Sequence, residues 1–147
     1  FLRIFAGTTR EEDEYGDVPG SVKDGEFNCP AGITVLPSSG EVAIADYSNH
    51  RVQIFDLQGN FKRKFGSQGE EDGQFLIADS LASDAYGNIL VTDYSTARLQ
   101  VFNSKGGHLY TRSDLGLKGN TSEGLAWGAL GQLAVANGGA NAVRVWH

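Results

Sequence analysis

Short apolar stretches of five or six residues, each closed by Gly, Asn, Ser, Asp or Pro, run along the chain from residue 27 to its end. In Arg51-Val52-Gln53-Ile54-Phe55 the apolar positions alternate, putting Val52 and Ile54 on one face of a half-buried strand. Val42-Ala43-Ile44-Ala45 and Ile89-Leu90-Val91-Thr92 are nearly continuous apolar runs, the pattern of a strand covered on both faces. The small residues Ala43, Ala45, Ala134 and Ala136 leave room for close sheet-on-sheet packing. Helical periodicity is absent throughout. The pattern predicts an all-β chain.

The strands recur in groups. Segment 27–66 aligns with 75–114 so that Ile33 falls on Leu81, Asp46-Tyr47-Ser48 on Asp93-Tyr94-Ser95, Arg51 on Arg98, Gln53 on Gln100 and Phe55 on Phe102. The period is 47–48 residues. A third copy follows over 121–147, where Gly124-Leu125 matches Gly32-Ile33, Leu133 to Asn137 matches Val42 to Asp46, and Val143 to Trp146 matches Val52 to Phe55. The first copy holds four predicted strands, Gly32–Leu36, Glu41–Asp46, Arg51–Asp56 and Phe61–Gly66. A repeated four-stranded antiparallel unit of roughly 40–50 residues is a propeller blade.

F-x-x-P-x-G-I, a strand ending V-A-I-A-D, N-H-R-V-Q-I-F-D and G-N-F-x-R-x-F-G together resemble the NHL repeat. The match is cleanest over 27–66. Pro30 and Gly32 become Ala78 and Ser80 in the second copy, and Asp46 and Arg51 become Asn137 and Ala142 in the third. The resemblance extends to the NHL domain of TRIM-type ubiquitin ligases, which implies six-bladed rings and a cytoplasmic scaffold or substrate-recruitment role.

Strand arithmetic then suggests an assembly. The second copy ends with a fourth strand at His108–Asp114, whereas the third stops after Val143–Trp146. Phe1-Leu2-Arg3-Ile4-Phe5 repeats the F-x-R-x-F of Phe61–Phe65 with no strands before it. Three blades span about half a six-bladed ring. The expectation is a homodimer in which residues 1–6 of each chain supply the outer strand of the partner's third blade. Its seam would comprise Phe1, Leu2, Arg3, Ile4 and Phe5 against Val143, Val145 and Trp146. An isolated half ring would leave the faces of its end blades in water, and such apolar patches are association sites. The 147 residues form one half-propeller unit, equally readable as natural, truncated or engineered.

Charge decides between partners. Twelve Lys and Arg against eighteen Asp and Glu give net −6. In a propeller, the turns between second and third strands share a face with the links between blades. Links 8–26 and 67–74 carry −5 and −3, and 115–123 is neutral, so the links hold the chain's net negative charge. Candidate binding residues on this face are Tyr47, Ser48, Asn49, His50, Tyr94, Ser95, Thr96, Glu70, Glu71 and Asp72. A basic protein or peptide is favoured there. RNA binding, known for some TRIM-type NHL propellers, is the alternative: Tyr47 and Tyr94 could stack bases, but cations are scarce. Asp46 with Arg51 and Asp93 with Arg98 each span a tight turn and are expected to be structural pairs. Lys62-Arg63-Lys64 is expected to discourage edge pairing on an outermost strand.

No catalytic motif occurs, and His50, His108 and His147 share no position in the repeat, so an enzyme, a metal or another cofactor is not expected. His50 is expected to be exposed in its loop. Cys29 makes no internal disulfide and mildly favours a reducing compartment. Its apolar neighbours Phe27, Pro30 and Ile33 suggest that it is buried, and Trp127 and Trp146 suggest core. No apolar run reaches the about 20 residues of a membrane helix, so no membrane partner is expected.

Overall fold

The computed structural model describes residues 23–117 and 123–147. Phe1–Phe5 and most of the first link lie outside them. The described residues form eleven strands in three antiparallel sheets. Blade 1 runs in order β1 (Pro30–Val35), β2 (Val42–Asp46), β3 (Arg51–Phe55) and β4 (Phe61–Phe65). Blade 2 comprises β5 (Ala78–Ser83), β6 (Ile89–Asp93), β7 (Arg98–Phe102) and β8 (His108–Arg112). Blade 3 has β9 (Glu123–Trp127), β10 (Leu133–Asn137) and β11 (Ala142–Trp146). The first strands β1, β5 and β9 are neighbours in space, so the sheets succeed one another around an axis as propeller blades do.

β1 begins at Pro30, two residues earlier than the pattern suggests. A register shift between Pro30 and Ile33 recurs between Ala78 and Leu81, bending each strand where it enters the sheet. Three of the hairpin turns on the face opposite the links share one chemistry. Asp56, Asp84 and Asn103 each accept backbone N–H groups from residues two and four positions on, and Gly59, Gly87 and Gly106 take positive φ.

Packing between blades follows strand alternation. Ala43, Ala45, Val52 and Ile54 form the front of blade 1 and bury themselves against Phe75, Ala78, Leu81, Ile89, Val91 and Phe102 at the rear of blade 2. Leu90, Leu99 and Val101 at the front of blade 2 cover Leu133, Val135, Leu125, Trp127 and Trp146 at the rear of blade 3. Gly32 permits the closest approach: a Cβ there would stand 2.4 Å from the Asp79 carbonyl oxygen. Only a residue without a side chain fits.

Blade 3 departs from the expected close packing. Ala134 pairs with Val145 and Ala136 with Val143, the same register that joins Ala43 to Ile54 and Ala45 to Val52. The blade 1 residues are fully buried, whereas Val143 is 72% and Val145 53% exposed and Ala136 is exposed. No blade among the described residues covers this face. Small side chains permit close packing but do not supply the neighbour.

Candidate functional site

The loop face is built from three turns and the links tied to them. Tyr47–Asn49 form a single 3-10 turn closed by His50 at φ 55°, and Ala97 and Asn141 occupy the same left-handed position in the other blades. The turn is held to the link before its own blade: the Tyr47 N–H donates to the Cys29 carbonyl and the Ser48 N–H to that of Asn28. Cys29 is exposed, not buried. Its own φ of 53° turns the side chain outward despite the apolar sequence around it.

Asp46 is the hub of blade 1. Its carboxylate has no exposed surface and accepts from the Asn28 N–H at 2.7 Å, Asn49 Nδ2 at 2.9 Å, Arg51 Nε at 2.7 Å and Gln53 Nε2 at 3.1 Å. Arg51 Nη2 donates to the Lys23 and Glu26 carbonyls, and Asp24 stands 3.7 Å from its Nη1. The pair therefore fixes a link as well as a hairpin. Burying two charges is tolerable here because both are extensively hydrogen-bonded.

Blade 2 arranges the same residues differently. Asp93 accepts from the Leu76, Ile77, Ser95 and Thr96 N–H groups, and Arg98 approaches only to 3.9 Å. The Arg98 guanidinium instead reaches Thr96 Oγ1 and the carbonyls of Glu70 and Gln74. In blade 3 the buried Asn137 accepts the Ala140 N–H and donates to the Gly116 carbonyl.

Gln53 and Gln100 carry a role the sequence reading missed. Each is fully buried, accepts a glycine N–H (Gly25, Gly73) and donates to the next carbonyl (Glu26, Gln74). Arg144 takes that position in blade 3 and donates to the Leu115 carbonyl. The recurrence of Gln at one repeat position was the available signal.

Between the turns, the half-buried rings of Tyr47 and Tyr94 lie 6.3 Å apart, tilted by 52°. Burial, then the neighbouring Tyr94, pushes the Tyr47 hydroxyl pKa up. His50 is also half-buried rather than exposed: its Nδ1 donates to the Leu76 carbonyl at 2.6 Å, joining blade 1 to the following link. Glu70, Glu71 and Asp72, on the link that enters blade 2, are exposed. Asp72 accepts the Thr111 hydroxyl, whose oxygen lies 2.9 Å from His108 Nε2.

Two members of the basic run on the edge strand β4 hold specific partners. Arg63 forms a two-pronged pair with Glu41 at 2.7 and 2.8 Å and donates to the Ser104 carbonyl of blade 2. Lys64 pairs with Asp24 at 2.6 Å. Among the described residues, no three His, Cys, Asp or Glu side chains form a metal-holding group, and no helix is long and apolar enough to cross a membrane.

Of the expected seam, Val143 and Val145 present an open face and Trp146 is half-buried against blade 2. Phe1, Leu2, Arg3, Ile4 and Phe5 lie outside the described residues.

Residues 27–55 match the NHL repeat. RING finger protein nhl-1 of Caenorhabditis elegans is 54% identical over 61 residues, covering 42% of this chain and 6% of that protein. Protein brain tumor of Drosophila melanogaster is 41% identical over 61 residues, with the same coverage. The chain thus spans a small part of these relatives. An exported protein of Bacteroides fragilis shares the fold with a TM-score of 0.59 at 22% identity, over 71% of this chain and 28% of that one. A streptogramin B lyase structure does so at 0.53 and 16%, over 80% of this chain and 40% of that one. Read with the three successive sheets, these likenesses show an NHL repeat over residues 27–55, similar to the TRIM-NHL proteins, within a propeller-like fold.

Proposed function

We propose that this chain is a non-catalytic, cytoplasmic binding and scaffold module, two copies of which close a six-bladed ring whose acidic loop face takes a basic protein or peptide. One observation carries the assembly: blade 3 exposes, in the same register, the apolar positions that blade 1 buries against its neighbour. Apolar positions matched to an existing blade interface are suited to receive another blade. The rear of blade 1 is a fitting counterpart, with Ile33 and Val35 63% and 54% exposed. Light scattering across a dilution series tests this: twice 15.7 kDa supports the ring, and a mass of one chain at micromolar concentration overturns it.

The charge of the loop face supports the choice of ligand. Exposed Glu70, Glu71 and Asp72 lie on the link that enters blade 2, while Arg51 and Arg98 are committed to internal partners. A Lys/Arg-rich peptide binding with an affinity that falls as salt rises supports this reading. Binding of single-stranded RNA without binding of the peptide would favour the RNA alternative, with the two tyrosines as its stacking platform.

A further inference from the structure

We infer that the tilted rings of Tyr47 and Tyr94 form a cation seat, occupied by the guanidinium of an arginine in the bound peptide. The inference rests on the acidic loop face proposed above and names the side chain that this face selects.

The seat is built at one point of the repeat in two consecutive blades. Tyr47 and Tyr94 directly follow the buried carboxylates of Asp46 and Asp93, and so occupy corresponding turns. The Tyr47–Asn49 turn packs on β1 and β5, the first strands of their blades, which places it toward the axis rather than the rim. With centroids 6.3 Å apart and planes 52° apart, the two rings meet without stacking, and both are half-buried. Gly138 holds the same repeat position in blade 3, so no third ring joins them.

The charge around the pair has one sign. Burial is the first cause of the raised Tyr47 pKa, and the groups that add to it are Tyr94, the Asp79 carboxylate and the Cys29 thiol. Each of these is neutral or negative. Asp79 lies on β5 and is only 8% exposed, so it sets the local potential from beneath the surface. The arginines of the same two turns are withdrawn. Arg51 Nη2 donates to the Lys23 and Glu26 carbonyls, and Arg98 donates to those of Glu70 and Gln74. Aromatic surface in a negative potential attracts a cation to the ring face. A guanidinium suits this seat better than an ammonium. It is planar, stacks on a ring and is more weakly hydrated, so entering a half-buried site costs it less. The same potential opposes a phosphate backbone.

The test uses the full chain and two nine-residue peptides, one all lysine and one with arginine at its centre. By titration calorimetry at low salt, the arginine peptide is expected to bind about three- to thirtyfold more tightly. Tyr47→Leu and Tyr94→Leu are each expected to reduce that preference, and the double variant to abolish it. Tyr47→Phe and Tyr94→Phe keep an aromatic face and are expected to retain it. The peptides are compared first on the unaltered chain, so a leucine variant that fails to fold does not remove the test. Equal affinities for the two peptides, or a preference that survives in the double leucine variant, overturn the seat and leave the acidic face as the binding surface. Binding of neither peptide removes both readings.

Discussion

Blades 1 and 3 are built to one register yet solve the same local problem with different chemistry. In blade 1 the buried Asp46 carboxylate gathers four donors and pulls the link, the turn and β3 together. In blade 3, among the described residues, neutral Asn137 accepts the Ala140 N–H and donates to the Gly116 carbonyl, and Ala142 faces it where Arg51 would stand. A charged hub is robust only while every partner is present, because an orphaned buried charge costs far more than a lost neutral bond. An amide holds the turn less firmly but tolerates loss of its neighbours. The same two blades differ in burial for an external reason: one front face has a neighbour and the other has none among the described residues.

The largest expected break is Asp46→Ala, which leaves the Arg51 guanidinium, 6% exposed, without its carboxylate. Roughly 3–5 kcal/mol of stability should be lost in urea unfolding. Asn137→Ala should cost about 1–2 kcal/mol by the same measurement, and equal costs would sink the contrast between hubs.

Gly32 and Gly124 sharpen the second contrast. Gly32→Ala should lose roughly 1–3 kcal/mol, since its Cβ meets rigid backbone. Gly124→Ala finds only the Ala136 Cβ, 3.7 Å away, and should change the chain's own stability by less than about 0.5 kcal/mol. Light scattering should nevertheless show weaker association in Gly124→Ala, because the proposed ring would bring a second backbone to that position.

The smallest effect is the acid dependence of the Arg63 clamp. Hydrogen bonds from Arg63 hold the Glu41 carboxyl below its ordinary 4.5, against the opposing effect of burial and with help from Ser39. A depressed carboxyl contributes stability that is complete above the unfolded value and is lost as pH falls through the folded one. Acid titration of unfolding should therefore show a loss of about 1 kcal/mol or less below pH 4.5, which Glu41→Gln should abolish.

The repeat, the strand pattern and the three-sheet order were legible because side-chain alternation and turn residues act within a few positions of the chain. Asp46 and Arg51 were legible as neighbours for the same reason. Their grip on Asn28, Lys23 and Glu26 was not, since those contacts close loops of 18 to 28 residues. Cys29 was misread because apolar neighbours in sequence do not set backbone conformation, and its left-handed φ decides where the thiol points. The grip of Arg63 on Ser104 was not legible because a charge on an outer strand faces either solvent or the next blade, and only the register distinguishes them.

The ties of Gln53, Gln100, Arg51 and Arg98 run backward, each to the loop that enters its own blade. The natural unit of inheritance is consequently a loop with the sheet that follows it. A recombination junction placed just after Gly66 keeps every such tie within one cassette, whereas a junction after Gln74 would deal the two ends of the Gln100 and Arg98 ties to different parents.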